Sequence, residues 1–205
     1  MSLILYAIGI GYLLGSIPTA FLLVRWQSRI DLRTAGSGNV GALNSYEVTR
    51  SRAIGLAVLV IDLLKGIAAV EVARLLGGDW PLTGMAAALA AVLGHNYTFW
   101  LKFKGGRGLA TAAGAALVLL WGLVPLWCLL WVLAFALLRS VNPASAIATI
   151  LSPVATGLWP GSVPGIPGQP LTQWFIVLLM TLILARLVGP VREFMQEKRA
   201  ERNVI

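Results

Sequence analysis

The sequence predicts an all-α integral membrane protein, a single bundle of seven transmembrane helices with its N-terminus outside and its C-terminus cytoplasmic. Three observations predict it. First, of 205 residues 58% are hydrophobic and only 12% charged, where soluble domains carry about a quarter charged residues. Second, apolar segments recur at about 3–25, 53–76, 82–100, 109–122, 124–138, 144–159 and 171–189, most of them close to the roughly 20 residues that a crossing helix needs. Third, the basic residues sort to alternate connections. Arg25, Arg29, Arg33, Arg50 and Arg52 fall in the first, Lys102, Lys104 and Arg107 in the third, Arg139 in the fifth, and Arg186, Arg192, Lys198, Arg199 and Arg202 at the end. The second (Gly77 to Pro81), the fourth near Gly122 and the sixth (Pro160 to Pro170) carry none, and positive residues mark the cytoplasmic side.

The net charge of +8 is thereby a topology signal, and no nucleic-acid partner is expected. Residues 1–205 read as one membrane-embedded domain closed by a short cytoplasmic tail, 190–205, in which Glu193, Glu197 and Glu201 mix with Lys198, Arg199 and Arg202 as on a solvated helix. The single cysteine, Cys128, allows no intramolecular disulfide and no cysteine metal cluster. No basic leader or small-residue cleavage site precedes the apolar run Leu3 to Val24, which reads as an uncleaved first helix.

Taken in order, the first span contains Gly15-Ser16-Ile17-Pro18, and a proline there removes a backbone donor and predicts a kink. The connection after it runs Asp31 to Asn44, with Gly36, Gly38 and Gly41 interleaved with Ser37 and Asn39. Such a stretch lets successive N–H groups point at one anion, although it is also ordinary turn composition. The second span carries Asp62 and Lys65, then Glu71 and Arg74, each pair three residues apart and so neighbours on one helix face. Ionisable groups within a span usually pair with one another. Asp62 and Lys65 are expected to brace the bundle.

The third span is rich in alanine at Ala86–Ala91 and the fourth at Ala110–Ala116; small faces let helices approach closely in lipid, so these two are expected to form the tight centre. Their connection is the most unusual stretch of the chain. Between Gly94 and Thr111 it places the only histidine, His95, with Lys102, Lys104, Gly105, Gly106, Arg107 and Gly108. The sixth span opens with Asn142-Pro143-Ala144-Ser145, where Asn142 reads as the helix cap and Pro143 as the first helical residue. The loop Pro160 to Pro170 carries no charge and reads as a simple crossing.

With the N-terminus outside, the second, fourth and sixth spans start at the cytoplasmic face, each beside one of these polar segments. Helix starts expose unpaired N–H groups and about half a positive charge, so converging starts predict a site for phosphate or carboxylate. Lys104 and Arg107 add full charges. His95 either serves as a general base or orders the loop. Phe103 to Gly108 lacks the spacing and the Lys-Ser/Thr ending of a nucleotide-binding loop. No hydrolase elbow, zinc pattern or inner-face carboxylate pair is present, so no metal or cofactor is expected.

Asp31-Leu32-Arg33, Gly36-Ser37-Gly38-Asn39-Val40-Gly41-Ala42, Asp62-Leu63-Leu64-Lys65-Gly66, Gly94-His95 and Phe103-Lys104-Gly105-Gly106-Arg107-Gly108-Leu109-Ala110-Thr111 together resemble the acyl-phosphate-dependent glycerol-3-phosphate acyltransferase family, PlsY. The resemblance runs from the first span to the sixth. It implies a bacterial inner-membrane enzyme, its site at the cytoplasmic face, that moves a fatty acyl group from acyl phosphate to the sn-1 hydroxyl of glycerol 3-phosphate, giving lysophosphatidic acid and phosphate. The substrates and the lipid bilayer are the implied partners. Ser37, Asn39, His95 and Lys104 would be catalytic; Gly36, Gly38, Gly41, Asn44, Arg50, Gly105, Gly106, Arg107, Gly108, Asn142 and Ser145 would bind substrate or phosphate.

The chain departs from the family pattern at three places. An arginine belongs shortly after Asn44, where strict register puts Glu47 and only a local insertion lets Arg50 supply it. A serine belongs where Asn142 stands. A run like Arg-His-x-Glu-Asn belongs where this chain has Arg186-Leu187-Val188-Gly189-Pro190. A relative with another acceptor or weak activity, and a carrier for a phosphate ester, therefore stand as alternatives.

Overall fold

The computed structural model describes residues 2–77 and 80–203, so part of the expected Gly77 to Pro81 connection and the last two tail residues lie outside the described residues. The described residues form nine α-helices and no strand. They divide into two compact units, Met1–Leu119 and Leu120–Ile205. The first holds α1 (Ser2–Ser16), α2 (Thr19–Ser28), α3 (Ala42–Thr49), α4 (Arg52–Leu76), α5 (Leu82–Asn96) and α6 (Leu109–Leu119). The second holds α7 (Leu123–Leu138), α8 (Val141–Leu158) and α9 (Pro170–Asn203).

Among the described residues, four helical segments are long and apolar enough to cross a membrane: Ser2–Ser28, Arg52–Leu76, Val141–Leu158 and Pro170–Glu201. The other three expected spans are helical but short, with 15 residues in α5, 11 in α6 and 16 in α7. The third span stops at Asn96 instead of about residue 100, because the chain turns through Tyr97 into a 3-10 turn over Phe99–Leu101. Pro18 breaks the first span: α1 ends at Ser16 and α2 starts at Thr19, whose N–H donates to Ile17 O at 2.9 Å. Pro190 does not end α9, which continues through the expected tail; there the i,i+3 pair Lys198–Glu201 closes at 2.7 Å.

In the first unit, the small faces do not meet as expected. Gly11 and Gly15 of α1 lie against the backbone of Ala87 and Ala91 in α5, and Gly94 of α5 lies against the backbone of Tyr12 and Ser16. Gly66 of α4 abuts Thr111 O of α6, and Gly114 of α6 abuts Leu63 O of α4. The third and fourth spans thus spend their small residues on the first and second. Small residues let helix backbones approach closely, and each contact has glycine on both sides: Gly11 and Gly15 with Gly94 between α1 and α5, and Gly66 with Gly114 between α4 and α6. Beside this framework, Ala20, Val24, Leu32, Val40, Ile54, Val58 and Leu101 form one buried cluster. It ties α2, the first connection and α4 to the turn after α5.

In the second unit, Trp127 Nε1 donates to Thr149 Oγ1 and Trp131 Nε1 to Ser145 Oγ, both at 3.1 Å, fastening α7 to α8. Gln173 Nε2 donates to Pro153 O at 2.7 Å, fastening α9 to α8. The start of α8 corrects one expectation: Ser140, in extended conformation, is the capping residue, and its carbonyl accepts from Ala144 N at 3.2 Å. Asn142 and Pro143 lie inside the first turn, where a proline is tolerated because its missing N–H would have no helical partner.

Candidate functional site

The first glycine stretch is folded around one amide. Asn44, near the start of α3 and 2% exposed, accepts from Ser37 N at 3.0 Å and donates through Nδ2 toward the carbonyls of Leu32, Ala35 and Asn39 at 3.4, 3.1 and 2.9 Å. A buried amide pays for its desolvation only by such bonds, so this one holds the loop in a single shape. Gly36, at φ +58°, sits where a Cβ would strike Asn44 Oδ1. The loop carries Ser37 exposed and Asn39 half-buried at its rim. Its entrance is clamped by Asp31 and Arg33, paired through two side-chain bonds of 3.0 and 2.6 Å. Those bonds hold the Asp31 carboxyl down at about 2.

The second glycine stretch folds back on α5. Gly105 N donates to Asn96 O at 3.2 Å and Gly106 N to His95 O at 3.0 Å. Gly106 is the meeting point of the two stretches, because a Cβ there would strike His95 Nε2 and come within 2.7 Å of Val40 O. Lys104 is exposed, Arg107 half-buried and Gly105, Gly106 and Gly108 buried. The cations therefore stand at the loop's edge while its backbone packs inside.

His95, 8% exposed, closes a polar cluster that sequence reasoning assigned to bracing. Asp62 and Lys65 pair at 2.9 Å with side chains 4% and 6% exposed. Lys65 Nζ also donates to Ile17 O at 3.1 Å, at the break in the first span. Asp62 Oδ1 lies 3.8 Å from His95 Nδ1. Ser16, Pro18, Asp62, Lys65, His95 and Gly106 line a cavity of about 10 Å³, the room of about one water. Thr98 Oγ1 secures the far side by donating to Ser16 O at 2.6 Å. Sequence reasoning did not count Ser16, Thr98, Asp62 or Lys65 among the site residues. For Asp62 and Lys65 the signal was present, since ionisable residues within a span mark a function by default.

The structure thus brings Ser37, Asn39 and Gly41 into one loop, held by Asn44 of α3, and joins it to His95, Gly105 and Gly106. Arg50 is exposed just past α3, in left-handed conformation with its N–H on Tyr46 O at 2.7 Å. Asn142 and Ser145 belong to the second unit. There Ser145 Oγ donates to Val141 O at 2.8 Å and accepts from Trp131.

The chain has counterparts among known proteins. A sequence profile described as glycerol-3-phosphate acyltransferase matches residues 5–197. A glycerol-3-phosphate acyltransferase of Nitrobacter winogradskyi is 43% identical over 155 residues, 76% of this chain and 76% of its own. Glycerol-3-phosphate acyltransferase 2 of Moorella thermoacetica is 42% identical over 150 residues, 73% of this chain and 75% of its own. The crystal structure of PlsY, an integral membrane glycerol 3-phosphate acyltransferase, in its glycerol 3-phosphate form superposes with a TM-score of 0.80 at 30% identity, covering 95% of this chain and 92% of that one.

Proposed function

This chain belongs to the glycerol-3-phosphate acyltransferase family, and from that premise we propose that it moves a fatty acyl group from acyl phosphate to the sn-1 hydroxyl of glycerol 3-phosphate. The observation that carries the reading is the junction of the two glycine stretches at Gly106, with Lys104 and Arg107 at its rim. Both substrates carry a phosphate, and such a junction, whose Gly105 and Gly106 N–H groups are taken up by Asn96 O and His95 O, holds the side chains of Ser37, Asn39, Lys104 and Arg107 as polar and cationic donors for phosphate oxygens. In the reaction, the sn-1 oxygen bonds to the acyl carbonyl carbon and the bond from that carbon to the phosphate oxygen breaks. Lysophosphatidic acid forms, and phosphate leaves with the electron pair. The hydroxyl proton passes to His95 or to the substrate's own phosphate. An acyl phosphate is already activated, so positioning and charge stabilisation suffice without a protein nucleophile.

In this reading Ser37, Gly38 and Asn39 hold a phosphate or the developing oxyanion, Asn44 keeps their loop in shape, and Lys104 to Gly108 form the phosphate loop. The chain works as one membrane-embedded enzyme of seven spans in a bacterial inner membrane, N-terminus out, with the site facing the cytoplasm. One observation favours a second reading, a relative with a different acceptor. Where the family pattern has histidine, this chain has Leu187, which is fully buried, so at that position packing stands in place of a polar group.

One experiment separates the two. Purified protein in lipid is given palmitoyl phosphate with and without glycerol 3-phosphate, and phosphate and lysophosphatidic acid are measured. Phosphate release that depends on glycerol 3-phosphate and is matched by lysophosphatidic acid supports the first reading. Release without that dependence moves the assignment to another acceptor, and no release at all removes the acyl-phosphate donor.

A further inference from the structure

Helix α4 carries two ion pairs at the same spacing, and only one has a reason to be buried. Glu71–Arg74 closes at 2.6 Å with side chains 34% and 59% exposed. Asp62–Lys65 is almost wholly enclosed, and desolvating two charges commonly costs as much as their attraction returns, more so at membrane depth. Apolar residues of similar size would brace the helices equally well. What apolar residues could not supply is the chain of contacts in which the pair stands. Lys65 binds a carbonyl at the broken end of α1, a position where a cation also suits the helix dipole. Asp62 Oδ1 is shared between Lys65 and the Nδ1 side of His95, and the Nε2 side of the same ring faces Gly106.

We propose that Asp62, held by Lys65 against the end of α1, is the positioning residue of His95. It keeps the imidazole proton on Nδ1 and leaves Nε2 as an acceptor on the side of the Gly105–Gly106 loop. The separation of 3.8 Å is longer than a hydrogen bond, yet a buried carboxylate at that range still favours the tautomer whose N–H points toward it, and the partner of one ring nitrogen decides the state of the other. The other groups lining the cavity, Ser16, Pro18, Thr19 and Thr98 among them, carry no charge. Asp62 and Lys65 are thus the two charges that line this cavity beside the ring. For its kinetic consequence this rests on the acyltransferase reading; for the tautomer it does not.

His95 is the only histidine, so nitrogen-15 histidine labelling of the full chain in lipid bilayers yields ring resonances that belong to it alone. At a pH where the ring is neutral, Nδ1 should carry the proton and Nε2 should show the shift of an unprotonated nitrogen. A wild-type ring protonated at Nε2 overturns the proposal without any variant. In D62N/K65M, which removes both charges and so leaves neither buried alone, the preference for Nδ1 should disappear; its retention also overturns the proposal. In acyl transfer, D62N/K65M should lower kcat roughly 100-fold, the scale of a misplaced proton acceptor, with KM changed less than about threefold. H95Q should cost as much, and the three changes together no more than either. Losses that multiply instead would show that the pair acts only on the fold, and E71Q/R74M should leave kcat unchanged. Wild-type protein with the stated tautomer but no turnover would refute the acyltransferase reading and spare this one.

Discussion

The two units hold their helices together by different means. In the first, backbone meets backbone: Gly11, Gly15, Gly66, Gly94 and Gly114 lie where a Cβ would run into the main chain of the neighbouring helix. In the second, side chains reach across: two indole N–H groups find hydroxyls and one glutamine finds the carbonyl of Pro153. The first arrangement tolerates no added volume, because backbone cannot move aside as a flexible side chain can. The second adds individual hydrogen bonds, each of which can be lost alone, to the packing of buried Ile176, Leu179, Ile183 and Leu187. The difference suits where the glycine loops sit, because loops that place donors within a fraction of an ångström need an unyielding frame.

The sharpest way to break this comparison is to add volume to the first unit. Gly94→Val should destabilise the protein by about 3 kcal/mol or more, at or above the upper end of overpacking costs. Gly189→Ala in the second unit, where nothing beyond its chain neighbours lies within 4 Å of the added Cβ, should change stability by less than about 1 kcal/mol, because the helix preference of alanine over glycine is offset by crowding of a Cβ against the following Pro190 ring. Thermal unfolding in detergent measures both. Equal losses at the two sites would end the distinction.

Next in size is the charge at the rim of the rigid loop. Lys104→Ala should lower kcat/KM for acyl phosphate roughly 10- to 100-fold, the scale of one or two charge-assisted hydrogen bonds. Lys102→Ala, at the turn before the glycines, should change it less than about twofold. Steady-state kinetics decide, and matching losses would break the assignment of Lys104 to the phosphate loop.

In the second unit, Trp131→Phe keeps an aromatic ring but loses part of the indole and its bond to Ser145; the lost bond should cost about 0.6 kcal/mol and at most about 1.7, the range found for polar contacts between membrane helices. A loss above 3 kcal/mol would show that the packing of the indole, which also stacks on Phe135 of the same helix 4.9 Å away, outweighs its N–H bond.

The smallest effect is at the Asp31–Arg33 clamp. Because Arg33 holds the Asp31 carboxyl at about 2, below its ordinary 3.8, the pair's contribution to stability is fully present above about pH 4. It is lost as pH falls through about 2. An Asp31→Asn variant should match the parent at low pH and fall slightly behind it above pH 4. An unchanged difference between the two across that range would show that the clamp does not hold in solution.

The residue pattern alone determined much of this protein. Apolar run lengths and the placement of arginine and lysine predicted an all-helical membrane protein, because lipid forces backbone groups to pair within each segment. The break at Pro18 was legible from the missing N–H, and both ion pairs of α4 from their three-residue spacing. The two glycine stretches and His95 were legible as a site because flexible backbone and charge rarely gather between apolar helices. Other features were decided only in three dimensions. Asn44 organises the first stretch through carbonyls as far back as Leu32, and no local pattern distinguishes an amide aimed inward from one facing water. The alanine faces of α5 and α6 do not name their partners; the glycines on both sides of the α1–α5 and α4–α6 contacts do, by admitting backbone contact. The cap of α8 fell to Ser140 instead of Asn142, a choice between neighbours that backbone conformation makes. The placement of Lys65 on Ile17 O, of Asp62 beside His95 and of Gly106 between His95 and Val40 depends on four separated segments packing together. Composition and spacing report what each segment can do by itself, and the site exists only where those segments meet.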